Sequence, residues 1–422
     1  MEEIITDEHI QNIINNKILN RITSIEYVVS EKCQNNCKYC YRVKKHNKSS
    51  CVYVTADDID LYTENLLDIF KLDKSFCQTV TAELFGGDAL LDYQECKKII
   101  DLLYYKYKYN RIIIPTNGRL INELSILDIK DLLYDEKNNK LKASLSLSVD
   151  GEINDGQRPL SKFGKMLQYQ EDINYDKLIK LSQDFKMGFH PMFSFDNYDS
   201  WFPTFKFFFD KGIKPYLLEV RHPLDRNDIF KCIEQLVMIR KYLLNKFGSY
   251  DEIKQYNTIN PSIIPRGLGC SALTTLTIMP NGDIPFCHRL IDKPWVMGNV
   301  LKKEFKIPNA INLISGYHHA NHPMCIKCIV RESCGGLCVG ANYEYWGDPW
   351  TPIPSICDYI ITKSYIMSQI FEDWNKTLKA KDTDIKILRE QSENIFNNNK
   401  KYYNQCNSLD DYISLLKEKE EQ

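Results

Sequence analysis

The chain has 422 residues, enough for one large domain and a smaller one. Its net charge of −2 is nearly balanced, which gives no reason to expect a nucleic acid or an anionic membrane as a partner. The acidic N-terminus lacks the pattern of a signal peptide and no apolar run reaches membrane-spanning length, so we expect a cytoplasmic protein.

A cysteine triad follows the first predicted strand, Ser24–Ser30. Cys33, Cys37 and Cys40 have the spacing Cys-x3-Cys-x2-Cys on one loop, and the aromatic Tyr39 precedes the last of them. Cytosolic cysteines are expected to stay reduced, which favours ligands over disulfides. Three thiolates can hold three irons of a [4Fe–4S] cluster, which normally takes four cysteines. The triad therefore predicts a cluster with one iron open to a substrate or cofactor.

Apolar runs alternate with amphipathic stretches from residue 24 to about residue 220, which predicts parallel strands joined by crossover helices. Thr55 and Asp58 resemble a capping box at the start of the first such helix. In a barrel of these units, the loops after the strands carry the chemistry. The predicted strands are Ser24–Ser30, Thr79–Phe85, Arg111–Pro115, Ala143–Val149, Gly188–Phe195 and Pro215–Arg221.

The loops after the second and third strands carry small and polar residues. Gly86 and Gly87 let a backbone approach a ligand closely, and the carboxylate of Asp88 can meet an ammonium group. The alternative is a plain strand-to-helix turn. Asn117 and Gly118 follow the third strand, and an Asn-Gly pair also forms turns readily.

The loop after the fourth strand carries a second polar group. The side chains of Ser148 and Asp150 can hydrogen-bond to ribose hydroxyls, and Arg158 can clamp a carboxylate in bidentate fashion. Asp150 can equally fix the turn. These positions extend the predicted site over several strand ends of one barrel.

The second half of the chain is rich in cysteine. A zinc site would use four cysteines in two pairs, and seven do not divide into fours. The segment has little periodicity, so metal clusters rather than a large core are expected to hold it. After it the chain becomes helical and charged. The seven cysteines are Cys270, Cys287, Cys325, Cys328, Cys334, Cys338 and Cys357.

The fold class expected from these patterns is α/β, with four segments in sequence. They are an N-terminal arm over residues 1–23, a partial (β/α)6 TIM-like barrel over 24–250, a small cysteine-rich iron–sulfur domain over 251–360, and a helical C-terminal extension over 361–422.

These motifs together resemble the radical SAM superfamily. The triad has the spacing of that family, and the loops after the second, third and fourth strands match its positions. The cysteine-rich segment resembles the SPASM domain that follows the barrel in a subgroup, and all seven cysteines match in order. The resemblance covers roughly residues 24 to 360.

The resemblance implies that the open iron holds S-adenosylmethionine. Gly86, Gly87 and Asp88 stand where relatives have Gly-Gly-Glu, which binds the methionine amino group of the cofactor; Asp88 is one methylene shorter than that Glu. The other cofactor-binding residues carried over by position are Tyr39, Asn117, Ser148, Asp150 and Arg158.

The resemblance also implies two auxiliary [4Fe–4S] clusters, three clusters in all. Cys270, Cys287 and Cys338 would hold the first, which then has three apparent ligands. Either a distant group completes it or one iron is open to a substrate thiolate. The second would be fully ligated by Cys325, Cys328, Cys334 and Cys357, and suited to electron transfer.

His288 follows Cys287, at a position where sulfatase-maturing members carry an Asp as catalytic base. Two roles are open for it. His288 can accept a proton near the substrate, or it can hydrogen-bond to a cluster sulfur.

The implied activity is reductive cleavage of S-adenosylmethionine to a 5′-deoxyadenosyl radical, which abstracts hydrogen from a ribosomally made precursor peptide or protein. Thioether or carbon–carbon cross-links or oxidised side chains would result, with a flavodoxin- or ferredoxin-type electron donor. The alternatives are an anaerobic sulfatase-maturing enzyme, a small-molecule radical SAM dehydrogenase, and a non-catalytic iron–sulfur protein.

Overall fold

A computed structural model describes most of the chain, and its contacts divide the chain into two compact units. The first comprises Met1–His190 and Ser271–Ser315, and the second comprises Pro191–Cys270 and Gly316–Gln422. The residues that the structure describes are 21–42, 53–153, 155–169, 172–216, 218–219, 222–253, 274–306, 322–334, 338–374, 382–399 and 405–419.

The strands of the first unit, among its described residues, are β1 Ser24–Ser30, β2 Thr81–Gly86, β3 Arg111–Thr116, β4 Tyr134–Asp135, β5 Lys140–Leu141, β6 Ser144–Leu147, β7 Met187–Phe189, β10 Thr275–Ile278, β11 Asp283–Pro285, β12 Val296–Asn299 and β13 Glu304–Phe305. A six-stranded parallel sheet forms the centre of this unit, in the order β10-β1-β2-β3-β6-β7. Strands β11, β12 and β13 form a short antiparallel sheet, and β4 and β5 form a hairpin.

Strand β1 lies inside this sheet with a neighbour on each side, and all its residues are buried. Such strands read as near-continuous apolar runs because both faces are covered. The single carboxylate on β1, Glu26, is therefore placed inside the unit.

The helices of the first unit follow the predicted crossover pattern. Helix α1 begins after Thr55, whose side chain accepts from Asp58 N while the Asp58 carboxylate accepts from Thr55 N. This is the capping box expected from the sequence. The helices are α1 Ala56–Ile69, α2 Ser75–Thr79, α3 Tyr93–Asp101, α4 Arg119–Glu123, α5 Ile126–Leu133, α6 Lys162–Met166 and α7 Tyr175–Asp184.

Two strand predictions are wrong in detail. The predicted strand Gly188–Phe195 is broken at Pro191, which has no N–H to give to a ladder, so β7 ends at Phe189. Its remainder, β8 Met192–Phe193, pairs with β9 Leu218–Glu219 in a separate two-stranded sheet of the second unit. The sixth strand of the main sheet is β10, from the segment expected to be cysteine-rich and irregular, and not the predicted strand Pro215–Arg221.

The second unit is mainly helical and has an apolar core of its own. Arg240 lies in that core beside Asp373, with its guanidinium 4.9 to 5.6 Å from the ring centroids of Tyr250, Phe371 and Trp374. The helices are α8 Trp201–Asp210, α9 Ile229–Phe247, α10 Tyr250–Ile253, α11 Pro323–Ile326, α12 Arg331–Cys334, α13 Val339–Trp346, α14 Pro354–Ile370, α15 Asp382–Asn399 and α16 Leu409–Glu418.

The expected fold class is confirmed: parallel strands with crossover helices come first, and the chain ends in helices. Within the described residues, no helix combines the length and apolar character needed to cross a membrane. The four domain bounds expected from the sequence stay a prediction.

Candidate functional site

The cysteine triad lies on the loop that leaves β1, and its three residues are intermediate between buried and exposed. Backbone hydrogen bonds fix this loop against the segment after β6: Asn36 N donates to Pro159 O at 2.8 Å, and Lys38 N donates to Gln157 O at 3.0 Å. The loop is therefore held in shape by the chain itself, which suits a preformed cluster site.

The thiols of the triad are close enough to influence one another. Burial raises the pKa of the Cys33 thiol, and the nearby Asp88 carboxylate, Cys37 and Cys40 raise it further. Burial also raises the pKa of Cys37, which Arg158 opposes. Because iron binds thiolates, metal binding at this loop must displace protons that the Cys33 and Cys37 thiols hold firmly.

Three N–H donors face the sulfur atoms of the triad: the backbone N–H of Asn35 donates to Cys33 Sγ at 3.4 Å, and two side chains supply the others. The Asn117 Nδ2 atom lies 3.7 Å from Cys33 Sγ, and the Arg158 Nη1 atom lies 4.0 Å from Cys37 Sγ. Donors to sulfur stabilise the charged thiolates of an iron–sulfur cluster and tune its reduction potential. Three neighbouring thiols with such donors are a donor set that fits a [4Fe–4S] cluster.

Arg158, Asp150 and Tyr39 form one buried group beside the triad. Arg158 Nε donates to Asp150 Oδ2 at 2.7 Å and Nη2 donates to Oδ1 at 3.0 Å, while the Tyr39 hydroxyl donates to Asp150 Oδ2 at 2.8 Å. Burial alone would lower the pKa of Arg158, but Asp150 keeps it above its ordinary value. The carboxylate that Arg158 clamps is thus one of this chain's own. Ser148 lies at the end of β6, where its N–H donates to Thr116 O at 2.7 Å.

The glycine pair after β2 packs against the start of the triad loop. Gly87 N donates to Ser30 O at 2.7 Å, and a Cβ atom on Gly87 would lie only 2.1 Å from Lys32 O. Gly86 has a φ of +140° and comes equally close to Ser30 O. The close approach that requires glycine here is therefore one between two backbone segments of the chain.

Asp88 is buried and its carboxylate points into the protein. It accepts hydrogen bonds from Leu90 N and Asn117 N, each at 3.0 Å, and from Thr116 Oγ1 at 3.1 Å. Burial raises the pKa of Asp88 to about 6, although these hydrogen bonds lower it. Asp88 therefore joins the end of β2 to the end of β3.

His288 lies in the first unit against a carboxylate that the sequence analysis missed. Its Nδ1 atom is 3.1 Å from both carboxylate oxygens of Glu26, and Thr277 Oγ1 donates to Glu26 Oε2 at 2.7 Å. The imidazole stacks on Tyr41 and Phe85, with ring centroids 5.6 and 4.9 Å away. A charged residue within the otherwise apolar β1 was the signal that could have revealed Glu26.

Four cysteines of the second unit influence one another in the same way as the triad. Burial raises the pKa of Cys325 to about 11 and also raises that of Cys357, and both values are raised further by neighbouring cysteines, including Cys328 and Cys334. No three His, Cys, Asp or Glu side chains among the described residues form a site for a single metal ion. The mutual effect on pKa puts these four thiols in one neighbourhood.

The other predicted auxiliary ligands are distributed over the chain. Cys287 belongs to the first unit and Cys338 to the second, and both are partly exposed. Cys270 lies outside the described residues. Their grouping into a first auxiliary cluster stays a prediction.

Comparison with known proteins agrees with this picture. A family described as "4Fe-4S single cluster domain" matches residues 24–170, which include the triad and the first strands. The radical SAM cyclopropyl synthase TigE of Paramaledivibacter caminithermalis is 25% identical over 379 residues, covering 80% of this chain and 72% of that protein.

Solved structures share the fold at low identity. The enzyme anSMEcpe with bound AdoMet gives a TM-score of 0.60 at 15% identity, covering 88% of this chain and 98% of that one. SuiB of Streptococcus suis bound to S-adenosylmethionine gives 0.54 at 16% identity, covering 83% and 81%. The chain is therefore similar in sequence to a radical SAM cyclopropyl synthase, and it shares the fold of anSMEcpe and SuiB.

Proposed function

We propose that this chain is a radical SAM enzyme of the SPASM type, a maturase that abstracts hydrogen from a side chain of a ribosomally made peptide or protein. The observation that carries the proposal is the triad itself: three neighbouring thiols on one fixed loop, with N–H donors from Asn117 and Arg158 facing two of them. Three ligands leave one iron of a [4Fe–4S] cluster for the cofactor.

The chemistry of the bound groups is reductive cleavage of S-adenosylmethionine, which supplies a 5′-deoxyadenosyl radical. The chain binds the cofactor, orients it against the substrate and shields both from water. The Asn117 amide and the Arg158 guanidinium would donate to the thiolates that hold the cluster, and the hydrogen bonds to residues 157 and 159 hold the loop that carries these cysteines.

His288 is the group of this site best arranged to take up a proton. Glu26 accepts from Nδ1, which fixes the tautomer and leaves the Nε2 lone pair to accept a proton released from the substrate. The Tyr41 and Phe85 rings hold the imidazole plane in this orientation. Its role as a proton acceptor belongs to the proposal.

Two similarities support a peptide or protein as substrate. One related structure is anSMEcpe with a bound Cp18Cys peptide, at a TM-score of 0.59, and another is SuiB with its precursor peptide SuiA, at 0.50. A further relative, TigE, is named a radical SAM cyclopropyl synthase. We propose cross-linking or oxidation of a precursor peptide, two auxiliary clusters that accept the surplus electron, and a flavodoxin- or ferredoxin-type donor.

Anaerobic assay tests the core of this proposal. The protein is reconstituted with iron and sulfide, reduced with dithionite and given S-adenosylmethionine, and 5′-deoxyadenosine is measured by mass. We expect wild type to form it, and the triple variant Cys33→Ala, Cys37→Ala, Cys40→Ala to form none. A fully loaded wild type that forms no 5′-deoxyadenosine, even with a peptide encoded beside its gene, would contradict the proposal.

A further inference from the structure

We propose that Asp88 is a positioning residue, which acts on the cluster through Asn117 and Cys33 and does not itself bind the ammonium group of the cofactor. The inference rests on the proposed function, because it assumes a cluster on the triad. It differs from the role that the position of Asp88 implies by resemblance.

The first step is that three donors already bind the carboxylate of Asp88. Oδ1 accepts from Leu90 N and Oδ2 accepts from Asn117 N, while Thr116 Oγ1, which has one hydrogen to donate, lies 3.1 Å from both oxygens. The residue is 1% exposed, so the protein itself surrounds this carboxylate.

The second step is that Asp88 fixes the backbone from which the Asn117 side chain projects. With its N–H held by Asp88, Asn117 places Oδ1 where it accepts from Arg119 N at 3.0 Å. That donor decides the orientation of the amide, so its NH2 group must face the other way. There Nδ2 donates to Gln34 Oε1 at 2.8 Å and lies 3.7 Å from Cys33 Sγ.

The third step concerns why an aspartate fits here and a glutamate would not. Asp88 starts the short helical turn Ala89–Leu91, and its side chain accepts from the N–H two residues on. This local bond needs a short side chain, which is why Asp and Asn are favoured at such caps. A longer carboxylate at this position would lose the cap and move its oxygens away from Asn117.

The consequence for the cluster is electronic. An N–H donor facing a cluster sulfur withdraws charge from it and makes the cluster easier to reduce. Groups that orient such a donor typically change metal affinity or activity by about 10–100-fold when they are removed. Asp88 thus adjusts the electron step from outside the cofactor pocket.

The experiment compares Asp88→Ala, Asp88→Glu, Asn117→Ala and the double variant Asp88→Ala with Asn117→Ala in the full chain. The midpoint potential of the triad cluster is taken from the spectral difference between each protein and its form lacking Cys33, Cys37 and Cys40. Affinity for S-adenosylmethionine is measured on the same samples. Asp92→Ala is the matched control, since Asp92 caps helix α3 through Glu95 N at 3.1 Å and does not contact Asn117.

We expect Asp88→Ala and Asn117→Ala to lower the potential by similar amounts, with no further shift in the double variant, while affinity for the cofactor changes less than about threefold. Asp88→Glu should not give back the potential of wild type, and Asp92→Ala should leave that potential unchanged. A large loss of cofactor affinity at unchanged potential, restored by Asp88→Glu, would overturn the inference. A wild type without any triad-dependent signal would instead overturn the proposed function, a distinct result. If Asp88→Ala fails to fold, the midpoint potentials of Asn117→Ala and Asp88→Glu still test the inference, because both should be lower than that of wild type.

Discussion

Two charged pairs lie inside the first unit. Arg158 is paired with Asp150 and His288 with Glu26, and the carboxylates of both pairs are buried. Removing one member of a buried pair leaves the other charge unpaired, which costs far more than the pair contributes.

Asp150→Ala is therefore expected to destabilise the first unit by about 3–5 kcal/mol, because it leaves the Arg158 guanidinium buried without its carboxylate. The free energy of unfolding in denaturant measures this. Asp68→Ala is the control, since Asp68 pairs with Lys303 at an exposed position and should cost less than about 1 kcal/mol. Equal losses in both variants would contradict the expectation.

Glu26 is expected to make the stability of the unit sensitive to acid. Burial alone would raise the pKa of Glu26, but His288, Thr277 and Arg42 lower it overall below its ordinary value. A carboxyl whose folded-state pKa is lowered stabilises the fold above its unfolded pKa, and this stability is lost as pH falls through the folded value. Melting temperatures between pH 7 and acid conditions should fall less steeply for Glu26→Gln than for wild type; parallel curves would refute this.

The site could be predicted from the sequence where residues are close along the chain. The triad and the motifs after β2, β3 and β6 were found by spacing. The partners of these residues were not, because Glu26 meets His288 across 262 residues of chain and Thr277 across 251, and nothing in the spacing records these contacts. Neither does the sequence reveal that Asp88 faces inward.

At the scale of secondary-structure elements, the end of β2 packs closely against the triad loop. Gly87→Ala would place a Cβ atom 2.1 Å from Lys32 O, so the loop carrying Cys33 must move. We expect this variant to retain less iron at the triad and to melt at a lower temperature than wild type.

Gly156→Ala is the control for that variant, because a Cβ atom on Gly156 would meet nothing within 4 Å. Iron per chain and melting temperature should be those of wild type. An unchanged iron content in Gly87→Ala would show that the loop tolerates displacement.

Elements were predictable where local signals define them, as for β1 and the capped helix α1. The break at Pro191 was also visible in the sequence, and only the apolar pattern on both sides of it favoured one long strand. The place of β10 was not predictable, since pairing of Ser24 with Thr275 joins residues 251 positions apart. Local propensity carries no information on such pairing.

At the scale of the whole molecule, the three proposed [4Fe–4S] clusters would require about twelve irons per chain. Replacing Cys325, Cys328, Cys334 and Cys357 with alanine should remove about four of them and leave the 5′-deoxyadenosine activity of the triad measurable. Iron analysis after anaerobic reconstitution measures both proteins. Cys232→Ala, at a buried cysteine in the core of the same unit, is the control. Unchanged iron in the fourfold variant would exclude a cluster at these residues.

The pairing of β10 with β1 has a consequence for biosynthesis. The ribosome makes β1 early, but the strand that covers one of its edges follows only at residues 275–278. Until then that edge presents unpaired N–H and C=O groups, which are a template for aggregation. The triad loop continues directly from β1, so it gains its final support only after residue 278 has emerged. We therefore expect iron insertion to be a late event, and nascent chains that stop near residue 250 to need protection from chaperones.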